Sequence, residues 1–223
     1  MQKAETKKKE WDEQAASTQD LCRQVCRTVD QAEFDMVISD IRHKLDIKGS
    51  LDAILDIGCG NGLVLSKFDK NFKHIHGVDF SLNMIEQARM IVPHGHFDVC
   101  DANDLKFENS RFDRVMAYSI FHYFPDFDYA LTVIREMIRV CKKGGIVLIG
   151  DILDNAFENG IKESSDLDYE KRIPLIQRYS EWKFFDLKKI FGILENLGHS
   201  VEILPQPRNF KCAYYRKDLR IRI

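Results

Sequence analysis

The chain has 223 residues, of which 44% are hydrophobic and 30% charged, enough for one domain with a substantial core. A formal charge of −2 gives no global electrostatic case for a nucleic acid or a membrane surface as partner. The charged N-terminus lacks the apolar centre of a signal peptide, and the longest uncharged run, Val115 to Pro125, is far short of the ~20 residues a membrane helix needs.

Residues 1–10 are densely charged and read as a frayed end. From Trp11 to about Leu45, apolar residues (Leu21, Val25, Val29, Phe34, Val37, Ile38, Ile41, Leu45) recur at threes and fours, predicting two amphipathic helices. Gly49 and Ser50 end that pattern. A first strand, Ala53 to Ile57, runs into the loop Gly58-Cys59-Gly60-Asn61-Gly62, and a helix from Leu63 to Phe68 follows at once. A second strand, Ile75 to Val78, ends in Asp79, after which Ser81 caps a helix. A third strand, His96 to Cys100, ends in Asp101; a fourth runs from Arg114 to Tyr118; a helix spans Tyr129 to Val140. Lys142 to Gly145 reads as a turn, and Ile146 to Gly150 as a fifth strand without a polar residue.

Strands alternating with helices and apolar on both faces imply a doubly covered, mainly parallel sheet. The stretch 151–185 breaks that rhythm with Phe157, Tyr169, Tyr179, Trp182, Phe184 and Phe185 among mixed charges. A helix from Asp186 to Leu197 stops at Gly198. Two strands follow, near Ser200–Leu204 and Phe210–Tyr215, and the short Pro205-Gln206-Pro207 link permits only antiparallel pairing. The tail from Pro207 to Ile223 carries six basic residues against one acid and reads as a solvated, charged edge. The six cysteines form no Cys-x-x-Cys pair and no zinc-like cluster with histidine, so they read as thiols of a reducing, cytoplasmic compartment; Cys22 and Cys26 would share a helix face. His74-x-His76 and His94-x-His96 lack a third ligand, and no metal is expected.

The glycine loop carries the chemistry. Strand, glycine loop and helix in succession present backbone amides at a helix N-terminus, with no Cβ atoms to hold a ligand away. A dinucleotide loop would need glycine at the place of Leu63, and a phosphate loop would need Gly-Lys-Ser/Thr; neither is present. The spacing Asp56-x-Gly58-x-Gly60-x-Gly62 resembles the first motif of class I S-adenosylmethionine-dependent methyltransferases. Gly77-Val78-Asp79-Phe80-Ser81 resembles the second motif, Asp101-Ala102 the third, and Lys143-Gly144-Gly145 the turn before strand five. The likeness covers about Trp11 to Gly150 and, more weakly, the final helix and strands.

The resemblance implies a three-layer Rossmann-like fold, α/β, with a seven-stranded mostly parallel sheet in order 3-2-1-4-5-7-6, strand seven antiparallel, and N-terminal helices. It implies one domain over 1–223, with 1–46 as a helical cap and 151–185 as a substrate or lid insertion. The implied cofactor is S-adenosyl-L-methionine, with S-adenosyl-L-homocysteine as product. Its expected contacts are Asp56, Gly58, Cys59, Gly60, Gly62, Asp79, Phe80, Met84, Asp101, Ala102 and Tyr118. Asp79 would take the ribose hydroxyls, as one carboxylate can accept two hydrogen bonds from a vicinal diol. Asp101 would face the adenine amino group. Asp56 either meets ligand or fixes the loop, and Phe80 and Met84 either flank adenine or pack in the core. Cys59 meets a need for a small, uncharged side chain. His122, with Tyr118 beside it, is the candidate base, or else a cofactor or packing residue; Ser119 is a weaker candidate. Trp11, Tyr123, Asp151, Tyr179 and Trp182 are the expected substrate side. A small-molecule acceptor methylated on oxygen or nitrogen is the leading expectation, with carbon still open. A protein or nucleic-acid acceptor is a rival, disfavoured because Tyr118-Ser119-Ile120-Phe121 replaces the Pro-Pro loop of amino-methylating members. A binding scaffold without activity is the third reading. Monomer and homodimer are both compatible with the sequence.

Overall fold

The structure, a computed structural model, describes residues 2–25, 30–210 and 212–223. Cys26, the second residue of the proposed Cys22–Cys26 helix face, and Val29 of the early apolar pattern lie outside the described residues. The elements run α1 (Gln2–Ala16), α2 (Leu21–Gln24), α3 (Gln31–Lys44), β1 (Leu51–Ile57), α4 (Leu63–Ser66), β2 (Phe72–Asp79), α5 (Leu82–Ile91), β3 (His96–Val99), β4 (Phe112–Tyr118), α6 (Phe127–Val140) and β5 (Cys141–Leu153). Then come α7 (Glu158–Glu163), α8 (Leu167–Glu170), α9 (Leu187–Asn196), β6 (Ser200–Pro205) and β7 (Arg216–Arg222). The sheet order is β3-β2-β1-β4-β5-β7-β6, as expected. Strands β1 to β5 pair in parallel, and β7 is antiparallel to both of its neighbours.

The strand pattern explains the three layers. Ile54, Met116 and Leu148 point to one face, against α3, α4 and α5, while their neighbours Leu55, Val115 and Val147 point to the other, against α6 and α9. Each such fully buried side chain contributes about 1.5–3 kcal/mol, so both helical layers are held by apolar burial. Helix starts follow local chemistry: Asp30, Ser81, Asp126 and Asp186 each accept a backbone N–H from the first turn of the helix they precede. Among the described residues, no helix is long and apolar enough to cross a membrane.

Several sequence expectations change. Residues 2–10 are helical within α1 and anchored, because Lys3, Lys7, Glu10 and Asp12 each bond a different part of the body. Among the described residues the N-terminal region has three helices, since Asp20 and Asp30 each start a new one. The Lys142–Gly145 turn is carried inside β5 as a register shift against β4, with Gly144 at φ +79°. The last strand starts at Arg216, beyond the predicted Phe210–Tyr215. It lies inside the sheet with Asp218, Leu219 and Ile221 fully buried, so the tail is no solvated edge. The link from β6 is correspondingly longer than Pro205–Pro207.

Candidate active site

In an open parallel sheet, ligands bind beyond the carboxyl ends of the strands where the crossover direction reverses, here between β1 and β4. A cavity of about 1230 Å³ lies there. Sites for one drug-sized ligand enclose about 300–1,000 Å³, so this volume suits two molecules side by side. Every expected site residue except Gly62 lines it.

One end is built by the glycine loop. Gly58, Gly60 and Gly62 all have positive φ (+71°, +53° and +76°). A Cβ on Gly58 would sit 2.6 Å from Ile120 Cγ2, and one on Gly60 would sit 2.8 Å from Val25 Cγ1. Gly62 faces away from the cavity; it caps α4 and lets Ala88 of α5 approach, since a Cβ on Gly62 would sit 3.1 Å from Ala88 Cβ. Asn61 ties the loop to α2, donating to the Leu21 carbonyl and to Gln24 Oε1, both at 2.9 Å.

Asp79, at the tip of β2, accepts the Gly60 N–H on one oxygen and the Ser81 N–H on the other, each at 2.9 Å. Each oxygen keeps a lone pair for a further donor. Burial pushes its carboxyl up to about 6, against the pull of these amides. Asp12 of α1 accepts the Ser81 hydroxyl at 2.5 Å and the Asn83 N–H at 3.2 Å, roofing this end. Burial raises the Cys59 thiol, which stays protonated as a small neutral group. Asp101 accepts a hydrogen bond from the Tyr129 hydroxyl, a partner the sequence did not suggest. Asp56 is buried at the cavity floor, and Phe80, Met84 and Ala102 border the same end.

The other end is built from side chains. His122 sits in a short turn after β4, with its ring centroid 4.0 Å from Tyr123 and 4.6 Å from Trp182. Trp11 meets Tyr123 edge-on at 5.6 Å, and Tyr179 lies 4.3 Å from Trp182. His122 Nδ1 is buried without a hydrogen-bond partner in the protein. Burial, aided by the Arg216 and Lys7 charges and only partly opposed by Asp151, holds its imidazole down to about 3.

Ser119 and Asp151, at the tips of β4 and β5, both adopt left-handed backbone, φ +65° and +63°, which is uncommon for residues with a side chain. They are joined: Ser119 Oγ donates to Asp151 Oδ2 at 2.6 Å, and Arg216 pairs with the same carboxylate. Burial would raise Asp151, but Arg216 and the Ser119 hydroxyl outweigh it and hold the acid near 2. Gln206 bridges Asp151 to Asp218, and Asp218 accepts the Asp151 N–H at 2.7 Å and Lys44 Nζ at 2.6 Å. A buried polar chain therefore runs from α3 to the cavity wall. Lys7, Lys183, Gln206 and Arg216 line the cavity and were missed from sequence. An antiparallel last strand must begin at the ligand end of β5, as the pairing of Leu153 with Arg216 shows, so its correct start would have revealed Arg216.

Residues 54–145 match the family model described as a methyltransferase domain. The chain is 34% identical over 102 residues to phosphatidylethanolamine N-methyltransferase of Cereibacter sphaeroides, covering 43% of this chain and 48% of that one. It is likewise 34% identical over 102 residues to tRNA (carboxymethyluridine(34)-5-O)-methyltransferase alkbh8 of Xenopus tropicalis, covering 46% and 15%. The chain thus spans less than half the length of these curated relatives. In three dimensions it resembles N-methyltransferase NodS from Bradyrhizobium japonicum in complex with S-adenosyl-L-homocysteine, with TM-score 0.69, 16% identity and 96% of each chain covered. At that identity the likeness speaks for the fold. Sheet order, glycine loop and the match over residues 54–145 all accord with the fold of class I S-adenosylmethionine-dependent methyltransferases. The cavity suits that cofactor: the glycine cradle has no space for Cβ atoms, and Asp79 has acceptor capacity to spare. With a tRNA methyltransferase among the relatives, the expectation against a nucleic-acid acceptor has no support from the comparisons.

Proposed function

We propose that the protein transfers a methyl group from S-adenosylmethionine to an oxygen or nitrogen of a small-molecule acceptor. The observation that carries this reading is the single cavity joining a backbone-lined, acid-bearing end to an aromatic chamber at the tips of β4 and β5. In it, Gly58, Cys59 and Gly60 lie along the cofactor, Asp79 takes the ribose hydroxyls and Asp101 faces the adenine. Asp56, Phe80, Met84, Ala102 and Tyr118 complete its walls, while Gly62 acts through packing. Residues 1–46 and 151–185 serve as cap and lid of one domain.

When bound, the cofactor supplies an electrophilic methyl on a sulfonium. The residues of the chain align the acceptor and exclude water, which can supply most of the acceleration. Trp11, Tyr123, Tyr179 and Trp182 form the walls that do both. His122, held at about 3, is neutral at pH 7 and is a weak proton acceptor, so it orients the acceptor by hydrogen bonding and leaves full proton removal aside. Asp151 is committed to Arg216 and Ser119 and shapes the chamber without acting as a base.

Isothermal titration with S-adenosylmethionine and S-adenosylhomocysteine tests the cofactor assignment; absence of heat with both overturns it. A turnover assay with small acceptors alongside transfer RNA separates the acceptor classes, and methylation of transfer RNA alone would replace the small-molecule reading. Cofactor binding without turnover on any acceptor would favour the scaffold.

A further inference from the structure

The two ends of the cavity carry opposite charge. Asp56, Asp79 and Asp101 line the cofactor end, whereas Lys3, Lys7, Lys183 and Arg216 border the aromatic end. Two of these cations are already matched, Lys3 by Glu181 at 2.8 Å and Arg216 by Asp151. Lys7 and Lys183 have no carboxylate within ion-pairing distance among the described residues. Lys7 is half-buried, and its ammonium donates to the Tyr123 carbonyl at 2.8 Å. Lys183 is exposed, and its backbone N–H donates to the His122 carbonyl at 3.0 Å, which seats the residue beside the same turn. Lys7 is partly buried with only the Glu181 and Glu10 charges, beyond ion-pair distance, to offset it, and an anion supplied by a ligand lowers that cost. Around it the walls are flat rings, including Trp182, with the Arg216 guanidinium 5.3 Å from the ring centroid.

We infer that the methyl acceptor is a small planar molecule bearing an anionic group, which Lys7 and Lys183 hold while Trp11, Tyr123 and Trp182 enclose its ring. This rests on the methyl-transfer reading above and names its substrate class. Water-filled solvation of the lysines alone would leave the chamber indifferent to ligand charge.

The two tryptophans of the chain, Trp11 and Trp182, both line the cavity, so intrinsic fluorescence reads its occupancy directly. With S-adenosylhomocysteine saturating, the full chain is titrated with 4-hydroxybenzoate, phenyl phosphate, 4-hydroxybenzamide and 4-hydroxybenzylamine. At least one of the two anions should bind about tenfold tighter than the neutral amide, and the amine weakest. Whichever anion binds tighter identifies carboxylate or phosphate as the group recognised. Lys7→Gln should shrink the anion preference to about threefold or less while S-adenosylhomocysteine affinity stays unchanged, which also shows that the variant is folded. Anions binding no better than the amide, or not at all, overturn the inference, as does a preference that survives in the Lys7→Gln, Lys183→Gln double variant. Loss of S-adenosylhomocysteine binding by the unaltered chain would instead overturn the cofactor assignment.

Discussion

The cofactor end and the aromatic end of the cavity are built by different means. The first is made largely of backbone: positive-φ glycines and a carboxylate that organises amides, all within 54–84 and so close in sequence. The second is made of side chains from α1, the turn after β4, the 173–183 segment and β7, brought together from opposite ends of the chain. A backbone cradle accepts one shape and resists change, whereas a chamber of side chains can alter its ligand without disturbing the sheet. One cofactor can thus serve many acceptors on a single fold.

The difference can be broken at several points. The largest effect should come from Lys44→Met, far from any ligand. It leaves Asp218 buried without its cation, which should cost about 3–5 kcal/mol of stability and appear as a lower denaturation midpoint in urea. Gly60→Val acts only at the cofactor end: left-handed backbone and the approach to Val25 should cost about 2–3 kcal/mol and take S-adenosylhomocysteine binding below calorimetric detection, with far-ultraviolet circular dichroism retained. Normal binding by that variant would misplace the ligand.

Asp79→Asn should weaken cofactor binding by about tenfold, the loss expected for a charged hydrogen-bond partner. The same residue gives a pH test. Its folded carboxyl, raised to about 6 by burial, is ionised above that value and becomes protonated as pH falls through it. Ribose hydroxyls bond the ionised form more strongly, so affinity should fall by about tenfold in all as pH drops from about 7 to about 4 in the unaltered chain and stay flat in Asp79→Asn. For stability the sign is opposite: a carboxyl raised by burial favours the folded state most at low pH, and that contribution is lost as pH rises through 6. The smallest effect concerns His122. Depressed to about 3, it carries no charge change near 6.5, so the turnover rate should show no inflection there; an inflection at 6.5 that vanishes in His122→Asn would restore it as a base.

The cofactor end was readable in advance because its determinants are local. Gly58, Gly60, Asp79 and Asp101 each stand at a strand end defined by its own apolar run. The aromatic end was readable only in part. Trp11, Tyr123, Tyr179 and Trp182 were expected on the substrate side, but Lys7 was hidden in a segment that looked frayed and Arg216 in one that looked solvated. Charge density alone suggested solvent in both places. In fact the polar helix α1 is held by hydrogen bonds to the body, and β7 alternates buried Leu219 and Ile221 with paired charges.

By itself the sequence determined the order of the elements, the two-faced apolar sheet and the glycine loop, because periodicity and glycine spacing act over a few residues. Only the tertiary structure decided that Lys7, His122, Trp182 and Arg216 share one chamber. It also decided that Asp151 is bound to Arg216 and that Gly62 turns from ligand to packing. Those contacts join residues distant in sequence, and only the closing of β7 against β5 and of α1 over the sheet brings them within reach.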